Sequence, residues 1–277
     1  MLPRSDIPLR RESRWLTRQG ESCQTWSLLV SFRIKDNHIR CRSASSSIII
    51  VRKYLREIIL NFHGIGEPPS HVPDEERPYW ISIKYFSDVV RLARDCELEH
   101  RKVFITFDDG NKSDVTIALP LLNEFGRRAS FFVLSERIGK PGFVDASDLV
   151  HLYKAGMTIG SHGKAHVDWT SLGKLELLSQ VTDSLHTLSD LIGKAVKSVA
   201  VPFGKYDRRV LRDLRLLDID TVYTSDGGST APHAWVKPRT TMRNDTALRE
   251  IESIITGRLP PVLRLKLLAR TLRRSGL

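Results

Sequence analysis

The segment Val103-Phe104-Ile105-Thr106-Phe107-Asp108-Asp109-Gly110 delivers two adjacent carboxylates from five residues suited to a buried strand. Neighbouring carboxylates repel each other unless a cation or a proton sits between them. Strand ends in α/β folds are also where active sites gather. Downstream, Ser161-His162-Gly163-Lys164-Ala165-His166 sets two imidazoles four residues apart, just beyond another short apolar stretch. One turn of coiling brings both to the same side. Two histidines and one carboxylate make a three-ligand site for zinc or a similar divalent ion. Such a site leaves positions for water and substrate, as hydrolysis requires. Taken singly, the Asp-Gly pair is an ordinary turn and the histidine pair a solvated loop; their combination points to a metal centre.

Rigid elements must bring these residues together. Ile58 to Phe62 reads as a strand ending at His63-Gly64, followed by a proline-rich loop from Glu67 to Pro78. Ser82 is placed to cap a helix from Lys84 to about Glu97, with Phe86, Val89, Val90 and Ala93 on one face. Val103 to Phe107 is the next strand. Asp114 to Phe125 reads as a helix bent at Pro120 and ended by Gly126. Strand patterns recur at Ala129–Val133, Met157–Gly160, Ser198–Val201, Thr221–Thr224 and Trp235–Lys237. Helical patterns lie between and after them, at Ser147–Ala155, Leu172–Leu191, Arg208–Leu217 and Thr246–Ile255. Alternation of this kind implies parallel strands joined by right-handed crossovers. About seven such units suit a barrel better than an open sheet. The strand C-termini then share one face, where His63, Asp108, Asp109, His162, His166 and Phe203 can meet.

Four motifs resemble those of the polysaccharide deacetylases, the NodB-homology family. Phe104 to Gly110 matches its TFDDG motif, and His162 to Leu172 (HGKAHVDWTSL) is similar to its H-x-x-x-H motif. Val201 to Asp207 (VPFGKYD) looks like the Pro-aromatic-Gly third motif, and Trp235 to Arg239 (WVKPR) like the fourth, which supplies a Trp and an Arg. The resemblance covers about Leu55 to Thr256. It implies a distorted (β/α)7-type barrel and the metal-dependent removal of acetyl groups, most simply N-acetyl, from a polysaccharide or oligosaccharide. It also implies roles. Asp109, His162 and His166 would hold a divalent metal, Zn2+ first, with Co2+ or Ni2+ as alternatives. Asp108 would be the general base for the attacking water. The backbone N–H of Phe203 would help to stabilise the oxyanion.

Two departures from the family pattern stand out. An Arg that orients the catalytic Asp usually opens the third motif, and here that place is Ala200. Either Arg239 substitutes from another strand, or the base is held differently, or activity is reduced. The family's late histidine is also missing, since none lies beyond His233. His63 is then the candidate acid for the leaving amine; its Phe-His-Gly-Ile setting looks like that of members acting on exopolysaccharide amino sugars. Trp169 and Trp235 are candidates for stacking on sugar rings. Two rival readings are hydrolysis of another non-peptide C–N bond, and a catalytically lapsed carbohydrate-binding protein, the latter motivated by Ala200.

Composition fits one α/β domain with extensions: 277 residues, 41% hydrophobic, formal charge +11. Residues 1–50 are rich in Arg and Ser and read as a poorly ordered extension. Residues 51–257 form the deacetylase-like domain, and 258–277 a basic tail mixing Leu and Arg. That tail could pack on the barrel or touch an anionic membrane peripherally. Positive charge alone suggests nucleic acid, but no recognised binding motif supports that partner; an acetylated glycan is the expected one. Three cysteines without a CxxC spacing, no membrane-spanning apolar run and no leader pattern make the cytoplasm the expected location.

Overall fold

The computed structural model describes residues 34–35, 38–39, 56–70, 72–96 and 102–258, with single helical positions at 261, 262, 265, 267 and 269. The expected looseness of residues 1–50 and the membrane reading of the tail lie largely outside the described residues. The chain divides into two units, Met1–Lys53 and Tyr54–Leu277. In the first, Ile34–Lys35 pairs antiparallel with His38–Ile39.

The second unit is built on alternating strands and helices. Strand β1 (Glu57–Phe62) is buried at all six positions. Residues β2 (Gly64–Ile65) and β3 (Trp80–Ile81) form a small parallel pair of their own. That pairing requires a glycine: a Cβ on Gly64 would stand 2.1 Å from the Trp80 ring. Helix α1 (Ile83–Cys96) begins where the Ser82 hydroxyl accepts from the Tyr85 N–H at 3.1 Å, as expected. Then come β4 (Lys102–Asp109), a single π-turn at Asp114–Ala118, α2 (Leu119–Glu124) and β5 (Ala129–Val133). The expected helix from Asp114 therefore runs unbroken to Glu124, its first turn widened to i→i+5 bonding just before Pro120, where the Leu119 N–H donates to the Asp114 carbonyl.

Helix α3 (Ala146–Lys154) starts from a reciprocal capping box between Asp145 and Asp148. It is followed by β6 (Thr158–Ser161), α4 (Lys174–Ile192), β7 (Ser198–Ala200) and α5 (Arg208–Leu214). The chain ends its barrel with β8 (Thr221–Thr224), β9 (Ser229–Thr230), β10 (Val236–Pro238), β11 (Thr240–Thr241) and α6 (Leu248–Thr256).

Strands β1, β4, β5, β6, β7, β8 and β10 are neighbours in that order, all parallel. The ring closes through a stagger. β10 pairs with β8, and two residues later β11 pairs with β1 through Thr240–Leu60 and Thr241–Asn61. With β10 and β11 taken as one staggered strand, the result is the seven-stranded barrel expected from the alternation. Its thinnest seam lies between β6 and β7, which share only the Ser161–Val199 register pair.

Side-chain alternation sorts the strands into two faces. Ile58, Leu60, Phe62, Val103, Ile105, Phe107, Phe131 and Val133 pack with α1, α2, α3 and α6 in one apolar cluster. Phe107 stacks on Phe131 at 4.7 Å and on Phe62 at 5.5 Å between ring centroids. The alternate positions are different in kind. Glu57, Asn61, Thr106 and Asp108 are buried polar residues, and Lys237 and Arg239 come to meet them across the barrel.

Candidate functional site

Asp108 and Asp109 end β4 and leave the barrel in different directions, because the backbone turns between them. Asp109 has φ 78° and Gly110 φ 71°. The glycine is obligatory, since a Cβ there would come within 2.9 Å of the Val133 side chain. Asp109 and Phe203 (φ 56°) are the non-glycine residues with positive φ among the described residues. Each such position costs on the order of 1–3 kcal/mol and persists where surrounding structure holds it. Both flank the same site.

The second carboxylate faces the two imidazoles. Asp109 Oδ1 lies 3.8 Å from His162 Nε2 and 3.8 Å from His166 Nε2. One ligand atom from each of the three residues falls within 4.8 Å of the others. Asp109 Oδ1 is buried and has no hydrogen-bond partner among the described residues. His162 is oriented from behind: its Nδ1 is 2.9 Å from the Ala200 carbonyl. A carbonyl only accepts, so Nδ1 carries the proton and Nε2 presents a lone pair. Burial pushes the His162 imidazole below its ordinary pKa, and burial takes His166 down to about 4. Both rings are therefore neutral at pH 7, the form that binds a metal. An orphaned buried carboxylate oxygen, two neutral imidazoles and a fixed tautomer fit a divalent cation of the zinc type.

The first carboxylate is enclosed instead. Arg239 grips Asp108 with both ends of its fork, Nη1 to Oδ1 at 2.7 Å and Nη2 to Oδ2 at 2.8 Å. Asn61 Nδ2 adds a third bond to Oδ2 at 2.9 Å. The Asn61 carbonyl in turn accepts from Arg239 Nη1 (2.8 Å) and Thr106 Oγ1 (2.7 Å). Arg239 Nε donates to the Thr224 carbonyl at 3.2 Å, and the guanidinium carbon lies 5.3 Å from the centre of the Phe132 ring. Burial works to raise the Asp108 carboxyl, and the guanidinium outweighs it, holding the group far below the usual carboxylate range. The expected arginine at position 200 is thus replaced in space by Arg239, whose segment closes the barrel. Ala200 keeps a different task through its carbonyl.

His63 reaches the rim from the end of β1, its ring 5.0 Å from that of Tyr79 and its Nδ1 buried with no hydrogen bond among the described residues. Phe203 stands half exposed, its ring stacked on His166 at 4.0 Å and 28°. The two tryptophans do not reach the site. Trp169 is fully buried, packed with Leu177, Val181, Val199 and Val222, so it has no free face for a sugar. Trp235 precedes β10, at the opposite end of the barrel from the carboxylates. Its indole N–H donates to the Ile219 carbonyl at 2.9 Å, and Arg215 covers its ring at 3.6 Å.

Three site residues escaped the sequence reading. Asn61 was legible as a lone amide inside an apolar strand. Glu76 comes from the proline-rich loop, with Oε1 3.9 Å from His166 Nδ1, and burial followed by the nearby Asp109 raises its carboxyl. Arg137, in the turn after β5, brings Nη1 to 3.5 Å from Asp109 Oδ1. Neither loop position carried a signal of its own.

Comparison with known proteins gives a consistent result. Residues 96–222 match the family model described as polysaccharide deacetylase. YxkH of Bacillus subtilis (strain 168), provisionally named a polysaccharide deacetylase, is 23% identical over 197 residues, covering 68% of this chain and 71% of its own. The peptidoglycan-N-acetylglucosamine deacetylase PgdA of Listeria monocytogenes is 29% identical over 119 residues, 42% of this chain but only 24% of PgdA. Among solved structures, a polysaccharide deacetylase from Bacillus cereus superposes with a TM-score of 0.64 at 18% identity, covering 73% of this chain and 69% of that one. At that identity the superposition speaks for the barrel. In sequence over residues 96–222, and in fold, the chain is similar to polysaccharide deacetylases.

Proposed function

From this similarity to polysaccharide deacetylases, we propose that the protein is a metal-dependent hydrolase that removes acetyl groups, foremost N-acetyl, from a polysaccharide or oligosaccharide. The carrying observation is the orphaned Asp109 Oδ1 facing His162 and His166 one residue from an arginine-clamped Asp108. Asp109, His162 and His166 would hold the ion, Zn2+ being the first choice for that donor set. When bound, such an ion supplies Lewis acidity to the carbonyl and to the attacking water.

The chain's own residues divide the remaining work. Asp108 stays ionised at any ordinary pH and receives the proton of the attacking water on Oδ1, which accepts only from Arg239 among the described residues. Arg239 and Asn61 fix the carboxylate plane. The Phe203 N–H would donate to the acyl oxygen, and the half-exposed Phe203 ring would offer the sugar an apolar face. His63 gives a proton to the departing amine. A lapsed, merely sugar-binding protein was motivated by Ala200; with Arg239 on Asp108, that motive is gone.

The test is metal content of the purified protein together with acetate release from acetylated glycans, for wild type and Asp108→Asn. The reading expects bound divalent metal in both proteins. It expects release by wild type and a loss of about 10³-fold in the variant, within the range of general-base removal. Absence of acetate release by the zinc-, cobalt- and nickel-loaded wild type on every glycan tried would reject it.

A further inference from the structure

Arg137 has no role in that mechanism, yet it is built into the rim. The N–H groups of Ser135 and Glu136 donate to the carbonyls of Gly163 (3.2 Å) and Lys164 (3.0 Å), tying its turn to the loop that carries both histidines. The guanidinium carbon lies 4.8 Å from the centre of the Phe143 ring, and the side chain is only 23% exposed. From this seat Nη1 comes 3.5 Å from Asp109 Oδ1, the same oxygen that faces both imidazoles. A guanidinium beside a divalent cation is a like-charge contact, tolerated when an anion lies between the two.

Amide hydrolysis makes that anion. Addition of water to the acetyl carbon moves the C=O π pair onto the carbonyl oxygen. Collapse then breaks the C–N bond, the amine takes a proton, and acetate is left. We propose that Arg137 is a further catalytic residue, whose guanidinium binds the acyl oxygen as it becomes negative and then holds the acetate product. The inference rests on the deacetylase reading for its turnover consequences, though not for the anion site itself. The planar fork suits a carboxylate, and a donor fixed in advance costs no reorganisation during reaction.

The experiment titrates sodium acetate into the zinc-loaded full chain by calorimetry, for wild type, Arg137→Gln, Arg137→Lys and the exposed control Lys140→Gln. Arg137→Gln should weaken acetate binding about tenfold or more, the worth of a hydrogen bond to a charged group, with zinc content at the wild-type value. Arg137→Lys should fall between, and Lys140→Gln should match wild type. On a substrate that turns over, Arg137→Gln should lower kcat about 10²-fold with little change in KM. Equal acetate affinity in wild type and Arg137→Gln overturns the inference. So does a loss of zinc in Arg137→Gln, which would make the residue a support for Asp109. Arginine-dependent acetate binding without release of acetate from any glycan would sink the deacetylase reading and keep the anion site. An unchanged turnover in Arg137→Gln would sink the catalytic role alone.

Discussion

Two adjacent carboxylates end the same strand, and their surroundings differ in one respect: the supply of partners. In the barrel lumen Asp108 accepts three hydrogen bonds from Arg239 and Asn61. At the rim, Asp109 Oδ1 faces two imidazoles at 3.8 Å and accepts none among the described residues. Both groups are buried, so both pay for lost water. The lumen answers that cost from within the chain, whereas the rim leaves it open to something from outside. The difference separates a carboxylate whose counter-charge is built into the chain from one that, on the proposed reading, takes its partner from outside.

The comparison can be broken most sharply at Arg239. Arg239→Met strands Asp108 as an uncompensated buried charge, and the chain should lose about 3–5 kcal/mol of stability. Denaturant unfolding measures it, and the Asp108→Asn/Arg239→Met pair should recover a good part of the loss. If Arg239→Met costs no more than an exposed substitution, the lumen is not the closed set described here.

The rim should behave in the opposite way. Asp109→Asn removes a carboxylate whose Oδ1 has no hydrogen bond to lose among the described residues and only the 3.5 Å Arg137 contact as an ion pair with Lys or Arg, so the metal-free protein should unfold close to wild type. The stabilisation on adding zinc should vanish; for wild type at a hundredfold excess over Kd it is about 2.7 kcal/mol. Thermal melts with and without zinc decide this, and an Asp109→Asn protein destabilised in the absence of metal would erase the distinction.

A smaller effect follows from pH. The two histidines have folded-state pKa values below the ordinary value of about 6.5. A depressed folded pKa means that the unfolded chain binds more protons. The contribution to stability is therefore whole above about pH 6.5 and is lost as pH falls towards the folded values, about 4 for His166. Metal-free protein should melt progressively lower between those limits. Zinc should still raise the melting temperature at pH 5.5, where free histidines would already be protonated. Loss of the zinc response near pH 6.5 would show the rim to be more open to water than its burial indicates.

Much of the site was legible because its parts are local in sequence. A strand feeding Asp-Asp-Gly and a pair of histidines four apart each carry their geometry with them, and the alternation of elements delivers them to one face. The clamp on Asp108 was half legible. The missing arginine at position 200 could be read and Arg239 named as one possible substitute, while choosing it over the alternatives needed the ring closure that brings residue 239 beside residue 108. The tryptophans misled for a related reason. Three residues after His166 is near the site in sequence, yet the turn carries Trp169 inward beneath α4. Trp235 stands before its strand and so at the other end of the barrel. Glu76 and Arg137 lie in connecting turns with no period to read, and only their packing brings them to the rim.

The stagger that closes the barrel has a consequence for how the chain is made. Arg239 sits between β10 and β11, in the last segment to join the ring, whereas Asp108 emerges from the ribosome 131 residues earlier. A nascent chain that has finished β1, β4 and β5 already owns the carboxylate and the asparagine but not the cation that balances them. Burying Asp108 without that cation would leave an uncompensated charge in the lumen. The counter-charge of the proposed base is thus the last part of the lumen to be synthesised: a chain truncated before residue 239 lacks the group that balances Asp108.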